Sequence, residues 1–263
     1  MSLIPSVFMS EVRRKTPLVH HITNYVTVND CANACICAGG SPVMTDAAED
    51  VPAMVSLASA SVLNIGTLNP RTVASMRIAA EACRDNRVPF VLDPVGAGAT
   101  PYRTEAAESL MALGPAVVKG NAGEIGVLSG AGGDVKGVDS RGSGDAAEAA
   151  RSLAERLGCV VVATGVFDYV SDGDAVVELC NGCDLLSAVS GTGCMLSSVV
   201  GCYVGACGAS VESVASAVTA FNVAAEAASN RCSGLGTFKP ALLDALYNLD
   251  GKAADARIRW DAL

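Results

Sequence analysis

The sequence predicts a three-layer α/β fold with a largely parallel central sheet. Continuous apolar runs, which are typical of buried parallel strands, alternate with segments of helical spacing over most of the 263 residues. Hydrophobic residues make up 51% of the chain and aromatic residues only 4%, so we expect Ala, Val, Leu and Gly to form the core. We see no second domain and no internal repeat, and expect residues 1–263 to form a single domain.

The predicted elements follow one another with short connections. The pair Gly39-Gly40 ends one helix, and Pro70 suits the first turn of another. In chain order we predict strand 18–24, helix 26–38, strand 41–44, helix 49–60, strand 61–66, helix 70–86, strand 88–93, helix 103–113 and strand 115–121. After a loop over 129–145 we predict helix 145–157, strand 159–164, a hairpin over 168–179, a central helix, helix 210–231 and helix 240–249.

The stretch Gly191-Thr192-Gly193-Cys194 opens the central helix. Glycines permit unusual φ values and a close approach of the backbone to a ligand. The first turn of a helix carries unpaired N–H groups and the positive end of the helix dipole. The loop therefore predicts a site for a phosphate or a developing oxyanion, with Cys194 where a thiolate is favoured. Gly-x-Gly before a helix is common, and Cys also packs in cores, so a packing role is the alternative.

Polar side chains follow several predicted strands, namely Asp93, Asn121, Glu124 and Thr164. In open parallel sheets, ligands bind beyond the carboxyl ends of the strands. Phosphoryl transfer uses acidic residues near an anion-binding helix end, because a few carboxylates hold Mg²⁺ and backbone N–H groups stabilise the moving charge. Neither a P-loop nor a nucleophile elbow is present. For Glu124, which lies near a helix start, capping is the alternative.

Charge and cysteine usage exclude other classes of protein. The net charge of -9 argues against a nucleic-acid surface. No apolar run reaches the length of a membrane span, and residues 1–15 lack the pattern of a signal peptide. The eleven cysteines lie mostly in apolar stretches and are odd in number, which favours a reduced cytoplasm. The Cys180–Cys183 pair has CxxC spacing, but we favour a plain turn over a metal or redox site.

Four motifs in this order resemble hydroxyethylthiazole kinase, in the ribokinase-like superfamily. They are Ile22-Thr-Asn-Tyr-Val, Asp93-Pro-Val-Gly-Ala-Gly, Gly120-Asn-Ala-Gly-Glu124 and Gly191-Thr-Gly-Cys194. The resemblance extends from about Pro17 to about Leu246. Cys194 is the most specific feature, because related sugar and pyrimidine kinases usually carry Asp at this place.

The resemblance implies an activity, a set of site residues and an assembly. The family phosphorylates 4-methyl-5-(2-hydroxyethyl)thiazole with ATP and Mg²⁺ in thiamine salvage, as a homotrimer with thiazole at the subunit contacts and no lid domain. Read from strand position alone, Met44 is a core residue. The implied roles are thiazole contacts for Met44, Asn24 and Gly191, ATP contacts for Lys119, Thr164 and Asn121, Mg²⁺ organisation for Asp93 and Glu124, and an anion hole of Gly191, Thr192, Gly193 and Cys194, with Cys194 beside the substrate hydroxyl.

Two other functions stay open at this point. One is a ribokinase-like kinase of another small alcohol, such as a hydroxymethylpyrimidine, which an Asp at position 194 would have favoured. The other is a nucleotide-binding regulator without turnover, which would keep Lys119 and Thr164 but lose the acidic and anion-hole residues. Asp93, Glu124 and both loop glycines are present, so the kinase interpretation ranks first.

Overall fold

The computed structural model of the chain describes residues 3–130 and 143–263. The described helices are α1 (Pro5–Lys15), α2 (Val28–Ala38), α3 (Val51–Leu57), α4 (Pro70–Asn86), α5 (Pro101–Met111), α6 (Ala122–Ser129), α7 (Ser143–Leu157), α8 (Leu185–Ala188), α9 (Thr192–Cys207), α10 (Val211–Ser229), α11 (Leu235–Tyr247) and α12 (Gly251–Arg257). The described strands are β1 (Leu18–Ile22), β2 (Ser41–Met44), β3 (Ala60–Asn64), β4 (Phe90–Asp93), β5 (Val117–Asn121), β6 (Val160–Thr164), β7 (Asp168–Ser171), β8 (Val176–Leu179) and β9 (Trp260–Ala262).

The nine strands form one sheet in the order β2-β1-β3-β4-β5-β6-β7-β8-β9. The first six are mutually parallel, and the last three continue the sheet in antiparallel fashion. Parallel strands need crossover connections, and the intervening helices supply them. The six parallel strands therefore end at one common edge, which carries the polar residues noted in the sequence.

Helices cover both faces of the sheet, as the predicted three-layer fold requires. Successive strand residues point to opposite faces, so Val62 packs in one core cluster and Leu63 in the other. The first cluster lies against α1, α2 and α9 to α12, and the second against α3 to α7. All five residues of β3 are buried, so both of its faces are covered and the apolar Val62 and Leu63 follow each other without alternation.

Several predicted boundaries need correction. The last predicted helix does not open at Pro240 but runs over Leu235–Tyr247 with this proline inside it. Its first turn forms earlier because Phe238 N donates to Gly234 O at 3.0 Å. The helices α1, α8 and α12 and the strand β9 were not predicted. Most of the predicted loop over 129–145 lies outside the described residues, and α7 begins at Ser143.

Within residues 3–130 and 143–263, no helix combines the length and the apolar character that a membrane span requires.

Candidate active site

The carboxyl edge of the parallel strands brings polar side chains side by side. Asn64 at the end of β3 lies opposite Asp93 at the end of β4. Asn121 at the end of β5 lies opposite Thr164 at the end of β6, and Lys119 precedes Asn121 on β5. The expectation that these strand ends meet at one edge is therefore confirmed.

The N-terminus of α9 faces this edge of the sheet. Gly191 is its N-cap with φ 93°, and no side chain caps the first turn. A Cβ on Gly191 would lie 2.3 Å from Cγ2 of Thr27, so both backbone angle and space require glycine here. Because the first-turn N–H groups of a helix have no intrahelical acceptor, α9 presents its positive end to a ligand at this place.

Two details of the loop differ from the sequence-based expectation. Gly193 lies within α9 and is absent from the positive-φ glycines, so only Gly191 uses the conformational freedom of glycine. The Thr192 hydroxyl donates to the carbonyl of Leu186 at 2.6 Å. Since that hydroxyl anchors the preceding turn, only the backbone N–H of Thr192 is left to face a ligand.

A buried ion pair connects the sheet to α9. The Lys119 ammonium donates to Oδ2 of Asp93 at 3.1 Å and to the carbonyl of Gly193 at 3.0 Å. Ser197, one turn further along α9, donates to the same Asp93 oxygen at 2.6 Å. Lys119 is 4% exposed and Asp93 1%. Removing either partner would leave an uncompensated buried charge, so this pair fixes α9 against β4 and β5.

Charge and burial together set the protonation states at the site. Burial disfavours the charged form of Lys119, but the nearby Asp93, Cys194 and Glu124 outweigh it and raise the lysine pKa. Burial, aided by Asp93, raises the pKa of Glu124. Burial and then Asp93 also raise the pKa of the Cys194 thiol, with Lys119 opposing them. The helix end favours a thiolate at Cys194, but loss of solvent and a neighbouring carboxylate act against it and raise the thiol pKa.

Cys194 receives hydrogen bonds from two amide side chains. Nδ2 of Asn24 and Nδ2 of Asn64 each lie 3.2 Å from its sulfur. Asn64 Nδ2 also donates to Asp93 Oδ2 at 2.7 Å. Asn24, Asn64, Asp93 and Cys194 consequently form one hydrogen-bonded group, which the Asp93 contact extends to Lys119.

Glu124 and Asn121 form the capping box of α6. Asn121 Oδ1 accepts from Glu124 N at 2.9 Å, and Glu124 Oε2 accepts from Asn121 N at 2.8 Å. Glu124 Oε1 accepts from Gly96 N at 2.7 Å. The capping alternative is therefore real for Glu124, and the carboxylate also ties α6 to the loop that follows Asp93.

Thr164 and Met44 lie away from the Cys194 group. The Thr164 hydroxyl donates to Gly120 O at 3.3 Å, which places it beside β5. Met44 is half-buried at the end of the edge strand β2. Three strand spacings, about 14 Å, separate β2 from β4, so within one chain Met44 is remote from Asp93.

The residues present fit a magnesium ion that takes few ligands from the protein. Asp93 Oδ1 is buried and has no hydrogen-bond partner among the described residues, and such an atom calls for a water or a cation. Both Glu124 oxygens already accept one backbone N–H each. No cluster of three or more His, Cys, Asp and Glu ligands occurs in the described part of the chain. Mg²⁺ tolerates so few protein ligands because it keeps waters and binds substrate phosphates.

Three contributors were missed by sequence analysis. Asn64 ends a buried strand as Asp93 does, and the same rule would have found it. Ser197 lies one helical turn beyond Gly193, and Thr27 packs beneath Gly191. Their sequence signal is weak, since Ser and Thr occur throughout the helices of this chain.

Residues 180–183 form an irregular segment with no assigned turn, and Cys180 and Cys183 are free thiols. Glu226 Oε1 accepts from Asn181 Nδ2 and Gly182 N, which holds this segment against α10. Cys183 Sγ donates to Ala225 O.

A helix N-terminus beside buried carboxylates, at the carboxyl edge of a parallel sheet, is the arrangement that small-molecule kinases of the α/β class use for phosphoryl transfer. A solved pyridoxal kinase from Staphylococcus aureus, in complex with AMP-PCP and pyridoxal, shares the fold with a TM-score of 0.69 at 17% identity, over 94% of this chain and 99% of that one. A hydroxyethylthiazole kinase structure from Pyrococcus horikoshii gives a TM-score of 0.92 at 37% identity over 98% of each chain. The predicted fold class is confirmed.

Comparison of sequences identifies the family more specifically than comparison of folds does. A model of the hydroxyethylthiazole kinase family matches residues 9–252. The chain is 51% identical to a hydroxyethylthiazole kinase from Methanocella arvoryzae over 259 residues, which is 97% of each protein. The protein belongs to the hydroxyethylthiazole kinase family.

Proposed function

We propose that the protein transfers the γ-phosphoryl group of ATP to the hydroxyl of 4-methyl-5-(2-hydroxyethyl)thiazole, a step of thiamine salvage. The observation that carries this proposal is the contact of Lys119 with both Asp93 and the Gly193 carbonyl. It joins a carboxylate, a cation and an anion-binding helix end at one point. Phosphoryl transfer depends chiefly on such positioning and electrostatic stabilisation.

The nucleotide side of the site is assigned to β5 and β6. Lys119 supplies a positive charge for phosphate oxygens, and its raised pKa keeps it protonated. Thr164 and Asn121, which are opposite each other at the strand ends, contact ATP. The backbone N–H groups of Thr192, Gly193 and Cys194 receive the moving phosphoryl group.

The alcohol side is assigned to the neighbourhood of Cys194. Asn24 and the backbone at Gly191 contact the thiazole, and the Cys194 side chain lies beside the accepting hydroxyl. Met44 contacts the thiazole of a neighbouring subunit, which agrees with its distance from Asp93 within one chain.

Magnesium is proposed as the companion of ATP. Asp93, through its unpartnered Oδ1, would hold the ion, and Glu124 would act through water because backbone N–H groups already engage both its oxygens. When bound, Mg²⁺ neutralises charge on the phosphate oxygens.

We further infer a homotrimer with sites shared at subunit contacts. Tyr25 is 78% exposed and Val26 62% exposed, and both adjoin Asn24. Large apolar side chains exposed beside a site fit a subunit contact. One sheet connects the described residues, which supports a single domain over 1–263. The eleven cysteines, all free thiols, suit a reducing cytoplasm.

The test is an assay of ADP release that depends on the alcohol supplied. Purified protein with ATP and Mg²⁺ is offered the thiazole alcohol, a hydroxymethylpyrimidine and pyridoxal in turn. We expect turnover with the thiazole alcohol at a much higher kcat/KM than with the others. Preference for another alcohol would favour the second kinase hypothesis, and ATP binding without turnover on any alcohol would favour a regulator.

A further inference from the structure

Backbone N–H groups fix the orientation of two amide side chains beside Cys194. Asn64 Oδ1 lies 2.9 Å from Gly66 N, and Asn24 Oδ1 lies 3.1 Å from Thr27 N. A backbone N–H can only donate. Each amide must therefore turn its oxygen to the backbone and its NH₂ group the other way, and flipping either would place donor against donor.

The fixed NH₂ groups point at the same sulfur. Asn24 Nδ2 and Asn64 Nδ2 each lie 3.2 Å from Cys194 Sγ. Asn24 Nδ2 also donates to Asn64 Oδ1 at 3.0 Å, which locks the two amides together. The two amides thus supply two donors, and the Cys194 sulfur accepts both hydrogen bonds.

Asn64 is the link between this sulfur and the buried ion pair. Its NH₂ group donates to Asp93 Oδ2 at 2.7 Å as well as to Cys194. Asn64 is 1% exposed, and all four of its polar contacts lie within the group just described. A buried amide with every polar group in use has one orientation and specifies the positions of its partners.

We propose that Asn64 is a positioning residue that ties Cys194 to Asp93 and, together with Asn24, holds the Cys194 sulfur as a hydrogen-bond acceptor. The two amides hold the sulfur in place, so the side chain at position 194 forms a fixed part of the wall of the proposed alcohol site. The placement of Asn64 rests on contacts alone, and only its effect on turnover rests on the proposed kinase function.

The decisive measurement is the pH dependence of Cys194 alkylation by iodoacetamide, followed by mass spectrometry of the peptide that contains it. An N–H donor stabilises the thiolate more than the thiol, so losing one of the two donors should raise the alkylation midpoint. Asn64→Leu removes the donors without adding charge, and Asn64→Asp keeps the acceptors for Gly66 and Asn24 but not the donors. We expect a higher midpoint in both variants.

Matched controls separate this effect from general damage. Asn86→Leu and Asn86→Asp make the same changes at the exposed end of α4 and should leave the midpoint at the wild-type value. Asn24→Leu removes the second donor and should also raise it, so the result does not depend on one variant folding. An unchanged midpoint in a folded Asn64→Leu or Asn24→Leu protein, or a rise in Asn64→Asp alone, would overturn the proposal.

Kinetics give a second readout in the same variants. We expect kcat of Asn64→Leu to fall by about 10²-fold, which is the effect of displacing a group at an active site by about 1 Å. KM for ATP should stay within about twofold, because the hydrogen bonds of Asn64 go to Asn24, Gly66, Asp93 and Cys194 and not to the proposed ATP contacts. A rise in KM for ATP with unchanged kcat would contradict the positioning role. If the protein turns over no alcohol, the alkylation midpoints still decide the placement, so the two proposals fail separately.

Discussion

Cys194 lies between two amide donors and a carboxylate, and this environment separates its two conceivable roles. A general base needs a pKa near the working pH. The sulfur accepts from Asn24 and Asn64, and burial with Asp93 raises the pKa of the thiol. The raised pKa favours a hydrogen-bonding role for this side chain over that of a general base.

Substitutions at Cys194 test this assignment. We expect Cys194→Ser to lose less than about 10²-fold in kcat, which is the lower end of a general base's contribution. Cys194→Asp should be active and could be faster, since a carboxylate accepts from both amides and is an ordinary base. Steady-state kinetics at saturating ATP measures this. Complete inactivity of a folded Cys194→Ser protein would indicate an obligatory thiolate.

His21 supplies a pH dependence of stability. Burial lowers its pKa from 6.5 to about 4. Its Nδ1 lies 2.9 Å from Val19 O and must donate, so Nε2 accepts from the Ser198 hydroxyl at 3.1 Å. The folded protein therefore holds a neutral ring, whereas the unfolded chain binds a proton below pH 6.5.

We expect the stability contributed by His21 to be complete above its unfolded pKa and to be lost as pH falls toward 4. Comparison of urea midpoints at about pH 7.5 and about pH 5 for wild type and His21→Asn checks this, because asparagine does not titrate. His20 is present in both chains and cancels in the difference. An equal acid-induced loss in the two proteins would show that His21 is not the source.

At the scale of elements, prediction succeeded where local sequence decides. The helix over 70–86 and the strand ending at Asp93 are set by an Asn69-Pro70 start and by continuous burial. The strand β9 was not predicted, because it is short and depends on its pairing with β8. The helix α11 begins before Pro240, because backbone hydrogen bonds to the carbonyl of Gly234 form its first turn.

The candidate site was predictable as a place but not as a set of contacts. Strand-end position brings Asp93, Lys119 and Asn121 to one edge, and the sequence shows that position. Which atoms meet depends on register and on side-chain direction. The strand-end position of Asn64 can be read from the sequence, but its contacts with Asp93 and Cys194 depend on β3 lying opposite β4. The turn of Thr192 toward Leu186 depends on α8.

The turn before α9 is expected to tolerate no side chain. Gly191→Ala combines a positive φ with a Cβ 2.3 Å from Thr27 Cγ2. Gly114, with φ 78°, has no atom within 4 Å of a built Cβ, so Gly114→Ala is the matched control for φ alone. We expect Gly114→Ala to lose roughly 1–2 kcal/mol and keep its activity. Gly191→Ala should lose more stability and most activity; equal unfolding midpoints for the two would refute the close contact.

The capping box of α6 and the proposed magnesium role of Glu124 can be separated. Glu124→Gln keeps one acceptor oxygen but turns an NH₂ group toward a backbone N–H. The free energy of unfolding should therefore fall by about 1 kcal/mol. A metal role predicts in addition a higher Mg²⁺ concentration for half-maximal rate. An unchanged Mg²⁺ requirement and rate would rule out the metal role and leave the cap.

At the scale of the whole molecule, residues 3–130 and 143–263 contain no second sheet that could cover the site. The described residues form one sheet with helices on its two faces, and phosphoryl transfer requires water to be kept out. The segment 20–44 carries the exposed Tyr25 and Val26 and ends at the half-buried Met44. A neighbouring subunit that packs on this segment would close the site.

The homotrimer is tested by mass and by complementation. Light scattering should give three times the 26.5 kDa chain mass, since cyclic closure buries the same two patches in each subunit. Met44→Arg places a charge at the thiazole contact, and Gly193→Pro removes an anion-hole N–H. Each variant alone should be inactive.

Mixing the two inactive chains after dissociation and reassembly should restore partial activity, because some sites would then draw Met44 from one subunit and Gly193 from another. Each variant taken alone through the same procedure serves as the control and should stay inactive. A monomer by light scattering would defeat the assembly itself. A trimer without rescue would leave the assembly standing but would show that no site combines Met44 and Gly193 from different subunits. Since about 14 Å separates β2 from β4 within one chain, that result would also count against a thiazole contact at Met44.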